Sequence, residues 1–131
     1  EDLFYRPSNA FAAEFFGEIN VLHGIAERGR VANPLGILPA PELPQGNQVK
    51  VLIRPHDLQI NLDPNSPGQR TIVRRSRLIG GDSLIDLVVE GTDISLRARV
   101  PGALLPETGA LAMITMELGR AFVFAVPDGQ G

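Results

Sequence analysis

The sequence from Arg70 to Val100 decides the fold, and it reads RTIVRRSRLIGGDSLIDLVVEGTDISLRARV. It contains three runs of residues that favour β-strands, Arg70–Ile79, Ser83–Glu90 and Asp93–Val100. In the last run apolar residues take every second position, as in a strand with one face in the core and the other in water. Glycine-containing turns separate the runs, so the stretch predicts a three-stranded antiparallel meander.

The rest of the chain continues this pattern on both sides of the meander. A short helix is predicted over Asn9–Phe16, where Phe and Ala repeat at i,i+4 spacing, Ser8 can cap the first turn and Gly17 ends it. The other candidate strands are Ile19–Ala26, Val31–Leu38, Gln48–Arg54, Leu58–Leu62, Leu111–Met116 and Phe122–Val126. Short, regularly spaced strands without long helices predict an all-β antiparallel barrel or sandwich behind a short N-terminal helix.

Composition narrows the possible functions. Hydrophobic residues make up 44% of the 131 residues, which is enough for a folded core. No apolar run approaches the roughly 20 residues that a membrane-spanning helix needs, so we expect no direct membrane insertion. The formal net charge of -3 disfavours nucleic acid as a partner, and without cysteine the sequence has no disulfides or thiolate metal sites.

The sequence lacks the motifs of the common catalytic sites. A P-loop needs a lysine that follows a glycine-rich loop, but the single lysine, Lys50, lies between two valines in a predicted strand. His23 and His56 do not share a metal-binding spacing, and no serine lies in a Gly-x-Ser-x-Gly elbow. We therefore expect no catalytic, cofactor-binding or metal-binding residues in this chain.

The segment from Arg54 to Asp57 is the sharpest candidate for a regulatory or interface site. Pro55 has no N–H to donate and ends the preceding strand, which holds Arg54 in an extended conformation at the strand end. There its planar guanidinium can grip an oxyanion or carboxylate bidentately. Alternatively, Arg54 forms an internal ion pair with Asp57 or Glu18, or bonds a loop carbonyl, and so fixes the turn. His56 belongs to the same candidate site.

The segment that contains Glu18 and Asn20 is a second candidate for an interface. Asn20 can hydrogen-bond across a turn, and Glu18 can face Arg54. The alternative is a helix stop that leads into a strand.

A set of arginines forms a candidate basic surface. Arginines at alternating positions can give a strand one basic stripe. The first alternative is cross-strand pairing with Asp82, Asp86, Glu90 and Asp93; the second is a surface for an anionic partner. Nucleic acid ranks last, because aromatic residues for base stacking are only 5% of the chain. The members of the set are Arg70, Arg74, Arg75, Arg77, Arg97 and Arg99.

Two short motifs resemble those of a known family. The segments Phe15–Asn20 and Ile53–Leu58, with the opening Glu1–Pro7, are similar to the TOBE domain that follows the ATPase domain in ATP-binding-cassette (ABC) importers. The resemblance implies OB-fold-like antiparallel barrels over residues 18–131, preceded by a helical lead-in over residues 1–17. In the family the second motif most often reads Arg-Pro-Glu. Here His56 replaces the glutamate, and Asp57 is its nearest substitute.

The same resemblance sets the functional expectations. It implies a regulatory and dimerisation domain of an ATP-binding subunit, whose partners are a second copy of that subunit and a membrane permease. ATP and Mg²⁺ belong to the ATPase domain, which is located in the cytoplasm at the inner face of the membrane. The segments Gly68–Arg75 and Leu96–Gly102 look most like those of ferric-iron importers, ahead of polyamine, sulfate and sugar systems. The alternative is a freestanding domain that binds an oxyanion such as molybdate or tungstate.

Overall fold

The computed structural model describes residues 19–41, 43–117 and 121–126, and almost all regular structure in them is β-strand. The predicted helix Asn9–Phe16, together with Gly17 and Glu18, lies outside these residues. The described strands are β1 Asn20–Glu27, β2 Arg30–Asn33, β3 Gly36–Pro39, β4 Gln48–Ile53, β5 Leu58–Asn61, β6 Gln69–Ile79, β7 Asp82–Val89, β8 Ser95–Pro101, β9 Leu111–Met116 and β10 Phe122–Ala125. A 3₁₀ turn, Pro55–Asp57, lies between β4 and β5.

The chain divides into two compact units. One unit ends at Ile53 and resumes after Glu117, and the other is Arg54–Glu117. Each contains a five-stranded antiparallel sheet, so the predicted all-β antiparallel fold is confirmed. The predicted boundary at residue 17 falls outside the described residues and stays a prediction.

The sheet of the first unit has the strand order β10-β4-β1-β2-β3. Strand β1 pairs with β4 along most of its length and with β2 at its last two residues. Gly24 allows β2 to come this close, because a Cβ there would lie 2.7 Å from Val31 Cγ1 and 2.8 Å from the Ala32 carbonyl oxygen. Val31, Leu38, Val49 and Val51 are among the fully buried side chains of this unit.

The sheet of the second unit has the order β5-β9-β6-β7-β8, and β6, β7 and β8 form the predicted meander. Strand β8 also lies near β5 and against the 3₁₀ turn, so the sheet curls toward a barrel. Alternate residues of β7 and β8 point into its core, among them Ile85, Leu87, Leu96 and Ala98.

Two hydroxyl groups buried in the second unit have hydrogen-bond partners, as burial requires. Thr71 Oγ1 donates to the Ala112 carbonyl over 2.7 Å, which joins β6 to β9. Ser83 Oγ donates to the Gly102 carbonyl over 2.6 Å and accepts from the Leu104 N–H over 2.7 Å. The serine therefore fixes the chain that leaves β8.

The structure corrects one local prediction and adds a detail to the meander. The predicted strand Val31–Leu38 is a hairpin of β2 and β3, because Asn33 Oδ1 accepts the Leu35 N–H over 2.8 Å and turns the chain. The pairing of β6 with β7 also shifts register between Val73 and Arg75, which makes Arg74 the extra residue of a β-bulge. No helix among the described residues is long and apolar enough to span a membrane.

Candidate functional site

The 3₁₀ turn places Arg54 and Asp57 side by side. Arg54 has φ −70° and ψ 146°, the extended conformation that a following proline favours. The Asp57 N–H donates to the Arg54 carbonyl over 2.9 Å, and the Leu58 N–H donates to the Pro55 carbonyl. These backbone bonds close the turn and leave the two charged side chains three residues apart on it.

Arg54 Nε donates to Asp57 Oδ2 over 2.8 Å. The Asp57 side chain is only 5% exposed, whereas the Arg54 side chain is 40% exposed. A carboxylate this deeply buried needs a charged or hydrogen-bonding partner. Arg54 thus forms an internal ion pair, and its partner is Asp57. His56 is exposed at the outer side of the turn.

Asn20, the predicted interface residue of β1, is 5% exposed. Its Nδ2 donates to the Ile53 carbonyl over 3.1 Å, and the two residues are also register partners in the sheet. This hydrogen bond therefore joins the start of β1 to the end of β4. Glu18, its predicted companion, lies outside the described residues.

The meander of the second unit carries the predicted arginines on its outer face. The register places Arg75 and Arg97 on either side of Asp86, and Arg77 and Arg99 on either side of Leu84. Side chains that are directly opposite in an antiparallel sheet share a face. We call this surface the arginine face; it consists of Arg75, Arg77, Asp86, Arg97 and Arg99, while Leu84 between Arg77 and Arg99 is buried.

Four ion pairs tie most of the arginines to carboxylates. Arg97 Nε lies 2.6 Å from Asp86 Oδ1, and Arg77 Nη1 lies 3.8 Å from Asp86 Oδ2. The other two pairs are Arg99 Nε with Asp82 Oδ2 at 2.7 Å and Arg70 Nε with Glu90 Oε1 at 2.8 Å. Because all these side chains are at least partly exposed, each pair contributes about 0–1 kcal/mol to the free energy of folding.

Arg74 and Arg75 differ from the other arginines of the set. Both are exposed, and neither forms an ion pair with a described residue. Asp86 is the register partner of Arg75, but it makes its short contact with Arg97 at 2.6 Å and a longer one with Arg77 at 3.8 Å. Arg74 is the extra residue of the bulge. The signal for this bulge in the sequence is the pair of consecutive arginines, both exposed, in the middle of β6.

The charged side chains of the candidate site are suited to binding anions. Among the residues that the structure describes, no group of three His, Asp or Glu side chains could hold a metal ion. The arginine face and the 3₁₀ turn instead offer guanidinium groups, which recognise carboxylates and other oxyanions.

Comparisons with known proteins show similarity to import ATP-binding proteins. No protein-family model matches the chain. It is 34% identical over 137 residues to sulfate/thiosulfate import ATP-binding protein CysA 1 of Chromobacterium violaceum, which covers 99% of this chain and 37% of that protein. It is 29% identical over 130 residues to CysA of Bordetella pertussis, which covers 95% of this chain and 37% of that protein.

Two further matches extend the comparison. The sn-glycerol-3-phosphate import ATP-binding protein UgpC of Paracoccus denitrificans is 29% identical over 131 residues, which cover 97% of this chain and 33% of UgpC. The chain thus spans only about a third of the length of these relatives, and it matches their C-terminal end. The molybdate-bound crystal structure of the cytoplasmic molybdate-binding protein ModG shares the fold, with a TM-score of 0.63 and 13% identity over 82% of this chain and 96% of ModG.

Proposed function

The chain is homologous to the C-terminal, TOBE-type part of the ATP-binding subunits of ABC importers, and we propose that it acts there as a dimerisation and regulatory domain. The match to the C-terminal end of import ATP-binding proteins carries this proposal. In this role the domain associates with a second copy of its subunit and biases the opening and closing of the ATPase pair. A membrane permease is the further partner of the complete subunit, which works at the cytoplasmic face of the membrane.

Nucleotide chemistry lies outside this chain in the proposed function. The sequence has one lysine, and that residue, Lys50, lies within β4 rather than in a glycine-rich loop before a helix. ATP and Mg²⁺ therefore belong to the part of the relatives that this chain does not match. ATP hydrolysis in that part drives uptake of a solute through the permease.

We propose that the transported solute is an oxyanion of the sulfate class. The relatives described above are named for sulfate, thiosulfate and sn-glycerol 3-phosphate, and each of these carries a tetrahedral oxyanion group. None of those names supports ferric iron, which stays a prediction of the sequence resemblance.

A freestanding oxyanion-binding domain is the second candidate. It is supported by the fold shared with molybdate-bound ModG, 96% of which is matched. In this role the domain itself holds the oxyanion between subunits, with Arg54 as the first residue to test.

Sedimentation velocity and thermal unfolding of the 131-residue protein distinguish the two candidates. A dimerisation domain shows a concentration-dependent dimer that is indifferent to the anion present. An oxyanion-binding domain shows a dimer and a higher melting temperature with sulfate, thiosulfate or molybdate, relative to chloride at the same ionic strength, and Arg54→Ala removes both effects. A monomer at every concentration and with every anion contradicts both.

The gene provides an independent test of the proposed parent. Translation of the sequence upstream of Glu1 in the same reading frame is expected to contain Gly-x-x-x-x-Gly-Lys-Ser/Thr within an ATPase domain. A stop codon or an unrelated domain there contradicts the first candidate and leaves the second.

A further inference from the structure

We propose that the arginine face of the second unit is a docking surface for an acidic protein segment, which binds Arg75 and Arg77 together with the adjacent Arg74. This role is independent of the proposed dimerisation and of any bound oxyanion.

The arginine face carries an excess of positive charge. Its four arginines face two carboxylates, those of Asp86 and the neighbouring Asp82. The whole chain has a formal net charge of -3, so this face is opposite in sign to the rest of the protein. A local positive surface on an acidic protein is suited to a partner with negative groups at matching positions.

Asp86 does not occupy all the guanidinium donors near it, so donors of Arg75 and Arg77 can bind a partner. Its register partners are Arg75 and Arg97, and only Arg97 makes a short contact with it, at 2.6 Å. Arg77 is 3.8 Å away, and Arg75 forms no ion pair with a described residue. A carboxylate from a partner can therefore bind Arg75 and Arg77 without breaking a strong internal pair.

The β-bulge at Arg74 is held in place by the loop before β9. Thr108 Oγ1 donates to the Arg74 carbonyl over 3.2 Å. On the preceding residue, the Val73 N–H donates to the Ala110 carbonyl over 2.9 Å, and the Val73 carbonyl accepts from the Gly109 N–H over 2.7 Å. Because the backbone is fixed, the adjacent arginines lose little backbone freedom when a partner binds.

An apolar end of the same surface adds a contact for a protein partner. Ile79 follows Arg77 on the same face of β6 and is 36% exposed. Its register partner is Asp82 of β7, which in turn lies opposite Pro101 of β8. Arginine is enriched at protein interfaces, and Ile79 adds some apolar area beside it.

Other polyanions fit this surface less well. Single-stranded nucleic acid binds proteins largely through aromatic side chains on which bases stack, yet residues 54–117 contain no Phe, Tyr or Trp. The net charge of -3 repels every polyanion at long range, an acidic peptide included. The interleaved carboxylates of Asp82 and Asp86 add to that repulsion, whereas a short acidic segment can place its charges between them.

The test is a titration of the 131-residue protein with an acetylated hexaglutamate peptide. Binding is monitored through the NMR signals of the arginine Nε–H groups. We expect the largest shifts at Arg74, Arg75 and Arg77, and weaker binding as salt is added. The double variant Arg75→Glu/Arg77→Glu should lose at least about tenfold in affinity. The matched control Arg28→Glu/Arg30→Glu changes the charge of two exposed arginines of the first unit by the same total and should bind like the parent.

Asp86→Asn separates docking from a purely structural role of the face. Removal of the internal carboxylate frees its guanidinium partners, so hexaglutamate should bind about fivefold more tightly, an effect of the size expected for one partly exposed charge. Arg74→Glu, a change at an exposed bulge, supplies a second variant if Asp86→Asn unfolds. Unchanged or weaker binding by folded Asp86→Asn, or shifts that map elsewhere, overturns the proposal.

A parallel titration decides the class of partner. Hexathymidylate and phosphatidylserine vesicles are compared with hexaglutamate at the same concentration of negative charge. The proposal requires that the peptide bind more tightly than either. Tighter binding of the oligonucleotide or of the vesicles overturns it in favour of nucleic acid or membrane.

Discussion

Replacement of Gly68 by alanine should be among the most damaging single-methyl changes in the second unit. Gly68 has φ +126°, a conformation that alanine rarely adopts. A Cβ there would also lie 2.6 Å from the Ile114 carbonyl oxygen, which is backbone of β9 and cannot rotate away. The strained backbone costs about 1–3 kcal/mol and the overlap about 1–3 kcal/mol, so Gly68→Ala should lower the free energy of unfolding by about 2–6 kcal/mol.

Urea unfolding followed by far-UV circular dichroism measures this loss, and two other glycines of the same unit serve as controls. Gly109 has φ +94° with nothing within 4 Å of an added Cβ, so Gly109→Ala reports the backbone strain alone. Gly81 has open space and an ordinary φ, so Gly81→Ala should change stability by less than about 0.5 kcal/mol. If Gly68→Ala and Gly109→Ala are equally destabilised, the close approach to Ile114 carries no cost and the reasoning is refuted.

Three further predictions concern buried polar groups, each tested by the same urea unfolding. Asn20→Ala removes the bond to the Ile53 carbonyl and should cost about 1–2 kcal/mol; an unchanged midpoint would show that β1 and β4 do not need this hydrogen bond. Asp57→Asn should lower the free energy of unfolding by about 1–2 kcal/mol. The loss is smaller than for a fully buried ion pair because the Arg54 side chain is partly exposed. The same loss in an Arg54→Ala background would contradict the pairing. Ser83→Ala removes the partner of the Gly102 carbonyl and of the Leu104 N–H, which lie in exposed and half-buried residues, and should lower the free energy of unfolding by about 0.5–1.5 kcal/mol; no loss would show that these two bonds do not stabilise the fold.

Much of the fold follows from local patterns in the sequence. Alternating apolar residues and glycine turns predict the meander of β6, β7 and β8, and they place β9 at Leu111–Met116, as observed. The meander depends on contacts between residues close in the chain, and β9 is marked by the residue pattern within the strand itself; sequence patterns report both directly. The missed hairpin of β2 and β3 was also local, since Asn33 and Gly36 are turn formers in the middle of the predicted strand.

The contacts within the candidate site could not be predicted from the sequence pattern alone. The sequence identifies Arg54 and the arginine set, and it offers Asp57, Glu18 or a carbonyl as partners for Arg54. Choosing Asp57 required the geometry of the 3₁₀ turn, which buries that carboxylate and leaves Arg54 Nε 2.8 Å from it. Burial depends on what surrounds a group in space, which a short motif does not contain.

By itself, therefore, the sequence determined an all-β chain, the order of its strands along the chain, the absence of a P-loop and the resemblance to TOBE domains. Only the tertiary structure decided which side chains meet. The register of three strands places Arg97 and Arg77 on Asp86, and the bulge leaves Arg74 and Arg75 exposed beside them. Register sets which residues are opposite across strands, and one inserted residue changes that set. The approach of Gly68 to Ile114 is decided in the same way, by strand pairing between residues far apart in the sequence.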